Sequence, residues 1–258
     1  MRFMRFAAIA AVALSAIGGA EAKEWTKIRM GTEGAYPPFN YTTADGTLTG
    51  FDVEIGNALC EEMQVECEWV TQDWDGIIPG LIAGKYDTII ASMSITPERE
   101  EKISFSEKYY NTPPGMAVQK GSDLKSTSPA DLADKKIGAQ SSTTHSIYSE
   151  QFYPDSNVSL YPTSEEYKLD LENGRVDAVV DDVMVLTEWV KSDEGACCEI
   201  LGTMKSVEEI HGAGAGIGVR KGDEELAEKL TAAIAAIRAN GKYKEINDKY
   251  FTFDVYGE

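Results

Sequence analysis

The sequence predicts an α/β protein of two lobes, each a mostly parallel sheet flanked by helices, and three observations lead to this fold class. Strand-like and helix-like segments alternate from Ile28 onward, as expected for helices packed on parallel sheets. Two stretches interrupt the alternation, "YYNTPPG" at residues 109–115 and "GTMKSVEEIHGAG" at residues 202–214, and we interpret them as connections between lobes. The length of 258 residues permits one large domain or two modest ones, and the two connections favour two.

The chain begins with a segment typical of a secretory signal peptide. Arg2 and Arg5 precede an apolar run, and small residues follow it up to Ala20-Glu21-Ala22, which matches an A-x-A cleavage site. The apolar run is shorter than the roughly 20 residues that span a bilayer. We therefore expect residues 1–22 to be removed on export to the periplasm, and the mature chain to have no stable membrane insertion. An uncleaved anchor helix is the alternative.

The segments after the signal peptide alternate between the hydrophobic periodicity of strands and that of helices. The expected order is strand "KIRMGTE", helix "FDVEIGNALCEEM", strand "CEWVTQ", helix "DGIIPGLIAGK" despite Pro79, and buried strand "YDTIIASMS". The Pro-Pro pair of the first connection disfavours helix and favours an extended crossing.

The middle of the chain repeats this rhythm and the last part is helical. The segments are "GMAVQK", "PADLADK", "KIGAQSS", "THSIYSEQF", "VSLYPT", "EEYKLDLENG", "VDAVVDD", "MVLTEWVKS" and "EILG". After the second connection we expect a strand "GIGVRK", a periodic helix from Asp223 to Ala239, and a short helix through Tyr250.

The four cysteines are interpreted through the exported state, because an oxidising compartment permits disulfides. Cys60 ends a predicted helix and Cys67 starts the next strand, so a bond between them would close a tight loop. Cys197 and Cys198 are adjacent, and neighbours rarely bond to each other. The sequence leaves this second pair as free or unresolved, and we do not expect it to bind metal, because no Cys or His at a metal-binding spacing surrounds it.

Charge and missing motifs exclude several classes of function. The formal net charge is −19, whereas nucleic-acid binding needs a basic surface. "GAGAGIG" at residues 212–218 is rejected as a nucleotide loop because it leads into a strand and does not open a helix. A nucleophile elbow, a zinc helix and a P-loop are all missing, and His145 and His211 have no metal-ligand spacing. We expect no cofactor and no metal.

The stretch "IIASMSITPER" provides the strongest candidate site. Ser92 and Ser94 end a buried strand, and Arg99 follows a turn. Ligands of parallel α/β sheets bind at the carboxyl ends of strands. A guanidinium in this place suits a carboxylate, which it binds through two parallel hydrogen bonds.

Two motifs resemble family 3 solute-binding proteins of bacterial amino-acid ABC importers. They are "GFDVEIGNALCEEM" at residues 50–63 and "ASMSITPER" at residues 91–99, and the resemblance covers essentially the whole mature chain. It implies two α/β lobes joined by two hinge strands that close on an amino acid, a monomer, and an inner-membrane ABC permease as partner. The implied boundaries are residues 23–111 and 206–258 for lobe 1 and residues 112–205 for lobe 2.

The resemblance also implies a role for individual residues. Arg99 would bind the α-carboxylate of the ligand together with the backbone N–H groups of Ser94 and Thr144. Thr144 begins a predicted helix, where free N–H groups favour an anion. Asp182, at the end of "VDAVVDD", would bind the α-ammonium together with Ser92.

The opposite wall would hold the ligand side chain. Tyr36 and Trp74 occupy positions where the family places aromatic rings, which would enclose an aliphatic stem or a guanidinium. Glu33 would meet the distal positive charge, and Met93 lies within the same motif as the two serines. The resemblance is greatest to receptors for lysine, arginine, ornithine and histidine and to receptors for the opines octopine and nopaline. Arginine or a close basic relative is the expected ligand.

Four positions depart from the basic amino-acid receptors, which tend to have Ser, Leu, Ser and Gln there. They are Ala91, Gln140, Thr143 and His145. Glu33, Ala91 and the run "SSTT" at residues 141–144 resemble receptors for octopine and nopaline more closely, so an arginine-derived opine is the alternative ligand. The fold also serves a periplasmic enzyme, cyclohexadienyl dehydratase, but Arg99 and Asp182 explain the site without chemistry, and we expect no enzymatic activity.

Overall fold

The computed structural model describes residues 24–257, so the predicted signal peptide lies outside the described residues. The strands are β1 Lys27–Thr32, β2 Ala35–Tyr36, β3 Asn40–Thr42, β4 Leu48–Thr49, β5 Glu66–Thr71, β6 Thr88–Ile89, β7 Ile103–Tyr110, β8 Pro114–Gln119, β9 Lys136–Gln140, β10 Asn157–Tyr161, β11 Ala178–Asp182, β12 Cys198–Thr203 and β13 Ala215–Arg220. The helices are α1 Phe51–Met63, α2 Ile77–Ile82, α3 Pro97–Lys102, α4 Thr144–Phe152, α5 Ser164–Glu172, α6 Val183–Lys191, α7 Glu208–His211, α8 Glu224–Ala239 and α9 Lys242–Tyr250.

Two five-stranded sheets organise these elements, and we call the parts of the chain built on them lobe 1 and lobe 2. The strand order is β5-β1-β6-β13-β7 in lobe 1 and β10-β9-β11-β8-β12 in lobe 2. A small antiparallel sheet of β2, β3 and β4 lies beside the first. The predicted α/β class and its two-lobed arrangement are confirmed.

Both sheets are mixed, which refines the expectation of mostly parallel sheets. β1 pairs in parallel with β5 and β6, and β9 pairs in parallel with β10 and β11. β13 runs antiparallel to β6 and β7, and β8 runs antiparallel to β11 and β12. These two strands are the first that the chain forms after each connection, so the antiparallel pairings arise where the chain enters a lobe from the other one.

The core of lobe 1 positions the strand ends that form the site. One face of its sheet packs on α1, α8 and α9 through a large apolar cluster, in which the ring of Phe51 contacts Tyr109, Tyr110 and Tyr243. The other face packs on α2 around Ile77, and Pro79 lies in the first turn of that helix, where a missing N–H is tolerated. Burial on both faces therefore holds β6 rigidly in the centre of the sheet.

The two connections lie side by side near the candidate site. The chain passes from the sheet of lobe 1 to the sheet of lobe 2 between Tyr110 and Pro114, and it returns between Thr203 and Ala215. In the second connection Gly212 has φ +67°, and a Cβ there would lie 1.7 Å from the Ile95 carbonyl oxygen. Only glycine fits such a contact. The exact lobe boundaries remain predictions.

One expected helical segment forms turns instead. "PADLADK", residues 129–135, makes consecutive turns, and Asp134 has φ +63°. A left-handed residue ends a right-handed turn, and the Asp134 N–H is bonded to the Asp155 carbonyl at 2.8 Å.

The structure bonds the cysteines in two pairs. Cys60 and Cys67 form the predicted disulfide, which joins the end of α1 to β5. Cys197 and Cys198 are also bonded, so the pair whose state the sequence left open is a disulfide, and the interpretation of two free thiols is wrong. They lie where a 3-10 turn at residues 194–197 meets the first residue of β12. In a continuous strand neighbouring side chains point to opposite faces, and this change of backbone direction brings the two sulfurs together.

Across residues 24–257, none of the helices has the length and apolar character needed to cross a membrane.

The Cys60–Cys67 bond closes a short loop and should contribute about 2.5 kcal/mol to the free energy of unfolding by chain entropy. In a Cys197→Ala/Cys198→Ala background only this bond remains to be reduced. Urea unfolding of that variant with and without reductant should differ by this amount. Identical unfolding midpoints would contradict the stabilising role.

Candidate ligand-binding site

Arg99 is a buried cation at the junction of the two lobes. It lies in α3, which Thr96 caps by accepting the Arg99 N–H at 3.3 Å. Its guanidinium donates to the carbonyls of Ser94 at 3.0 Å and Ser142 at 3.3 Å, and lies 5.3 Å from the centre of the Trp74 ring. Burial lowers the pKa of Arg99 to about 10, so the group stays charged at neutral pH.

Within the described part of the chain, Arg99 has no carboxylate in direct contact, although the charge of Glu98 acts on it from a distance. Among residues 24–257 no carboxylate forms an ion pair with it, and its acceptors are carbonyl oxygens. The neighbouring Glu98 is bonded to Lys102 at 2.9 Å. A buried charge normally requires a charged partner. Arg99 therefore forms a site that favours an external anion.

The N-terminus of α4 in lobe 2 faces the same place. Thr143 caps this helix in a capping box with Ser146, and its hydroxyl donates to the Gln140 carbonyl at 2.7 Å. Thr144, the first helical residue, lines a cavity with Arg99. The free N–H groups and the dipole of a helix N-terminus attract anions, so lobe 2 adds to the field of Arg99.

Ser92 directs its hydroxyl into lobe 1. Its Oγ donates to Asp52 at 3.0 Å, and its N–H donates to the Tyr109 hydroxyl at 3.0 Å. Asp52 also accepts from Asn40 at 2.8 Å and from Tyr109 at 2.8 Å. Burial raises the pKa of Asp52 to about 6. Because the hydroxyl proton of Ser92 is donated to Asp52, the Ser92 oxygen can only accept a further hydrogen bond. Such an oxygen suits an ammonium group.

Asp182 occupies the second lobe at the end of β11. It caps α6 by accepting the Met184 N–H at 2.7 Å, and it also accepts the Thr112 hydroxyl from the first connection. Burial raises the pKa of Asp182 to about 7. A cation placed beside this carboxyl would favour its ionised form.

The preceding residue, Asp181, joins the two lobes. Its carboxylate accepts the hydroxyl of Tyr36 from lobe 1 at 2.5 Å and the hydroxyl of Tyr167. The Nδ1 atom of His145 lies 3.1 Å from the same carboxylate. Alternation along β11 turns Asp181 away from the position of Asp182. The sequence motif pointed to Asp182 alone and missed this second carboxylate, although the adjacent acidic pair "DD" was visible.

Glu33 and Gln140 form another contact between the lobes. The Gln140 amide donates to the Glu33 carboxyl at 2.6 Å. Burial raises the pKa of Glu33 to about 7, although the bond from Gln140 opposes the shift. The Trp74 indole N–H donates to the Ser142 carbonyl of lobe 2 at 3.2 Å. The Trp74 ring, which the sequence predicted to contact a ligand, packs on the Arg99 guanidinium.

Two small cavities lie among these groups, each of about 30 Å³. Every residue that lines the first is a predicted site residue: Glu33, Tyr36, Trp74, Ala91, Ser92, Ser94, Arg99, Gln140, Thr143, Thr144 and His145. Asp182 lines the second, beside Ser92, Ser94, Thr144 and His145. Met93 lines neither of them and borders an outer cleft of about 470 Å³. The small cavities have room for little more than a water molecule, so this conformation is closed.

The comparisons place the chain among known proteins. The family model described as bacterial extracellular solute-binding proteins, family 3, matches residues 28–253. The L-arginine-binding protein of Pseudomonas aeruginosa is 46% identical over 98% of this chain and 98% of its own length. The octopine-binding periplasmic protein of Rhizobium meliloti is 35% identical over 98% of this chain and 99% of its own. The structure of an ancestral arginine-binding protein bound to arginine matches with a TM-score of 0.81 and 36% identity, covering 88% of this chain and 98% of that one.

The raised pKa of Glu33 predicts a pH effect on stability. The folded protein holds this proton up to about pH 7, whereas the unfolded chain releases it near its ordinary value of 4.5. The folded state therefore binds more protons between these values, and the free energy of unfolding falls as pH rises through that window. We expect wild type to lose roughly 1–3 kcal/mol more than Glu33→Gln between pH 5 and pH 8.

Chemical denaturation at several pH values measures this difference. Glu228→Gln, a change at an exposed glutamate of α8, is the matched control and should follow the wild type. Parallel pH curves for wild type and Glu33→Gln would show that burial of Glu33 has no such effect.

Proposed function

The chain belongs to the bacterial extracellular solute-binding proteins, family 3, and from this premise we propose that it is a periplasmic receptor for arginine or a close basic relative. It binds the amino acid between its lobes and delivers it to an ABC importer. The observation that carries the proposal is Arg99, a buried guanidinium whose acceptors in the described chain are only carbonyl oxygens.

The α-carboxylate of the ligand is the anion that this site suits. Arg99 supplies two parallel donors, and the backbone N–H groups of Ser94 and Thr144 complete the set. On binding, the carboxylate replaces the Ser142 carbonyl, which lies 3.3 Å from the guanidinium. An ionic hydrogen bond is roughly twice as strong as a neutral one, so the exchange favours ligand.

The α-ammonium would lie between the lobes, opposite the carboxylate. Asp182 offers a buried carboxyl, and Ser92 offers an oxygen that can only accept because its proton is bonded to Asp52. Binding an ammonium favours the ionised form of Asp182. Each charged end of an amino acid thus meets complementary groups from both lobes.

The side-chain end favours a cation. Glu33 is a buried carboxyl whose pKa is raised to about 7, and a guanidinium beside it would restore the ionised form. Tyr36 adds an aromatic wall in the same cavity. The P. aeruginosa relative is an L-arginine-binding protein, which supports this choice of ligand.

Closure on the ligand is the proposed mechanism of delivery. In the closed conformation the lobes are joined by the bonds Tyr36–Asp181, Gln140–Glu33 and Trp74–Ser142. A ligand that contacts both lobes stabilises this state over an open one. The permease would then recognise the closed shape. This binding cycle needs no catalysis, and the relatives described above are binding proteins.

An opine such as octopine is the second candidate ligand. The R. meliloti relative is an octopine-binding periplasmic protein that matches nearly the whole chain. Ala91 is small and lines the first cavity, so this position takes up less of the cleft than a larger residue would and suits a ligand larger than arginine.

Calorimetry with arginine, lysine, histidine, glutamine and octopine separates these candidates. We expect arginine to bind most tightly and glutamine, which lacks a positive side chain, at least tenfold more weakly. Tighter binding of octopine would make the opine the ligand. Tight binding of only a neutral or acidic amino acid would overturn the proposal.

Removing the guanidinium should abolish measurable binding. Arg99→Ala leaves the carboxylate without its charged partner in a desolvated site, a loss of about 3–5 kcal/mol. Arg175→Ala is the matched control because Arg175 forms an exposed pair with Asp170 and should leave affinity unchanged. Arginine affinity in Arg99→Ala within about tenfold of wild type would reject the assignment.

A further inference from the structure

We propose that Asp181 is a specificity-determining residue that acts through His145, making this imidazole a hydrogen-bond acceptor for the cationic side chain of the ligand. The inference rests on the proposed function and deepens it, because it explains how the site selects ligands that carry N–H donors. Asp181 would hold one ring nitrogen of His145 and leave the other for the ligand.

The geometry around Asp181 is that of a positioned pair. Asp181 is 3% exposed, and its Oδ1 lies 3.1 Å from the Nδ1 atom of His145. A carboxylate beside Nδ1 stabilises the tautomer that carries the proton there. In a neutral imidazole the Nε2 atom is then an acceptor. Burial lowers the pKa of His145, with Asp181 opposing and Arg99 reinforcing the shift, which agrees with a neutral ring.

His145 lies where its acceptor nitrogen can contact a bound ligand. His145 is the second residue of α4, and it lines both small cavities. Glu33 and Tyr36 share the first cavity with it. A guanidinium entering there would meet the Glu33 carboxylate and the His145 acceptor together. A neutral side chain with an oxygen at the same place would meet two acceptors and bind poorly.

The second contact of Asp181 links this selection to closure. Asp181 accepts the Tyr36 hydroxyl from lobe 1 and the Tyr167 hydroxyl from α5. The carboxylate therefore orients a ring of lobe 1 and an imidazole of lobe 2 at once. The acceptor faces the ligand only when the lobes have come together, so the same residue positions both walls.

The sequence contains only two histidines, and this allows a direct spectroscopic test. The Nδ1 atom of His211 lies 3.0 Å from the Val207 nitrogen and 3.2 Å from the Val207 carbonyl oxygen, so this contact fits either tautomer and His211 serves only as the second signal in the spectrum. Nitrogen-15 NMR of ligand-free protein near pH 7 should show His145 with a protonated Nδ1 and a bare Nε2. The signals that His145→Gln removes identify this ring. A protonated Nε2 on His145 would overturn the inference.

Affinities for arginine and citrulline provide the functional test, because citrulline replaces the guanidinium with a neutral urea group of similar shape. In Asp181→Asn the ratio of arginine to citrulline affinity should fall at least tenfold, and the His145 nitrogen shifts should change. Asp170→Asn is the matched control, since Asp170 also accepts a tyrosine hydroxyl, from Tyr161 at 2.8 Å, and should leave the ratio within threefold. An unchanged ratio in Asp181→Asn would contradict the proposal.

A second variant separates selection from general damage to the fold. His145→Gln supplies an acceptor oxygen without needing Asp181, so adding Asp181→Asn to it should change the ratio by less than threefold. A tenfold fall in that background would show that Asp181 does not act through His145. The proposed function fails separately: a wild-type protein that binds no basic amino acid rejects it, whereas tight arginine binding with an unchanged ratio rejects only the role of Asp181.

Discussion

A guanidinium taken out of water without a carboxylate partner is the constraint on which the site depends. Arg99 is held by the first turn of α3, the ring of Trp74, and the carbonyls of Ser94 and Ser142. The two carbonyl oxygens accept hydrogen bonds from it but bring no negative charge to pair with it. Because the Ser142 carbonyl belongs to lobe 2, the same cation responds to lobe position and to ligand. An anion that enters between the lobes removes an electrostatic cost that the fold carries in its absence.

The acidic groups of the cleft are arranged around this cation in two ways. Asp52 stays inside lobe 1, where it fixes the hydroxyl of Ser92 as an acceptor. Glu33, Asp181 and Asp182 reach the contact between lobes, and each is held by hydroxyl, amide or imidazole groups. Burial raises the pKa of Glu33 and the pKa of Asp182 to about 7, and a cation beside either carboxyl favours its ionised form, so the cleft suits a ligand with two positive groups.

Hydrophobic periodicity was sufficient to predict the α/β architecture. The residues that line the first cavity were all named from the sequence, four of them within the segment "ASMSITPER" and the others through the resemblance to the family. Sequence reasoning missed groups whose positions depend on long-range pairing. Asp181 and Asp182 are adjacent residues of the same type, so the sequence does not distinguish them. Only the position of each along β11 in the folded sheet brings Asp181 to His145 and Tyr36. Likewise, the bond between Cys197 and Cys198 depends on a backbone turn at the start of β12. The antiparallel strands β8 and β13 are those that the chain forms first after each crossing between lobes. Hydrophobic periodicity does not indicate the direction of a strand.

The comparison of arginine with agmatine, the same molecule without its carboxylate, tests the central claim most directly. Both ligands carry the guanidinium, so they differ only at the end that faces Arg99. Binding measured by calorimetry should weaken by at least a hundredfold for agmatine, because the buried cation then stays unpaired. Equal affinities for the two molecules would contradict the account, since the carboxylate would contribute nothing to recognition.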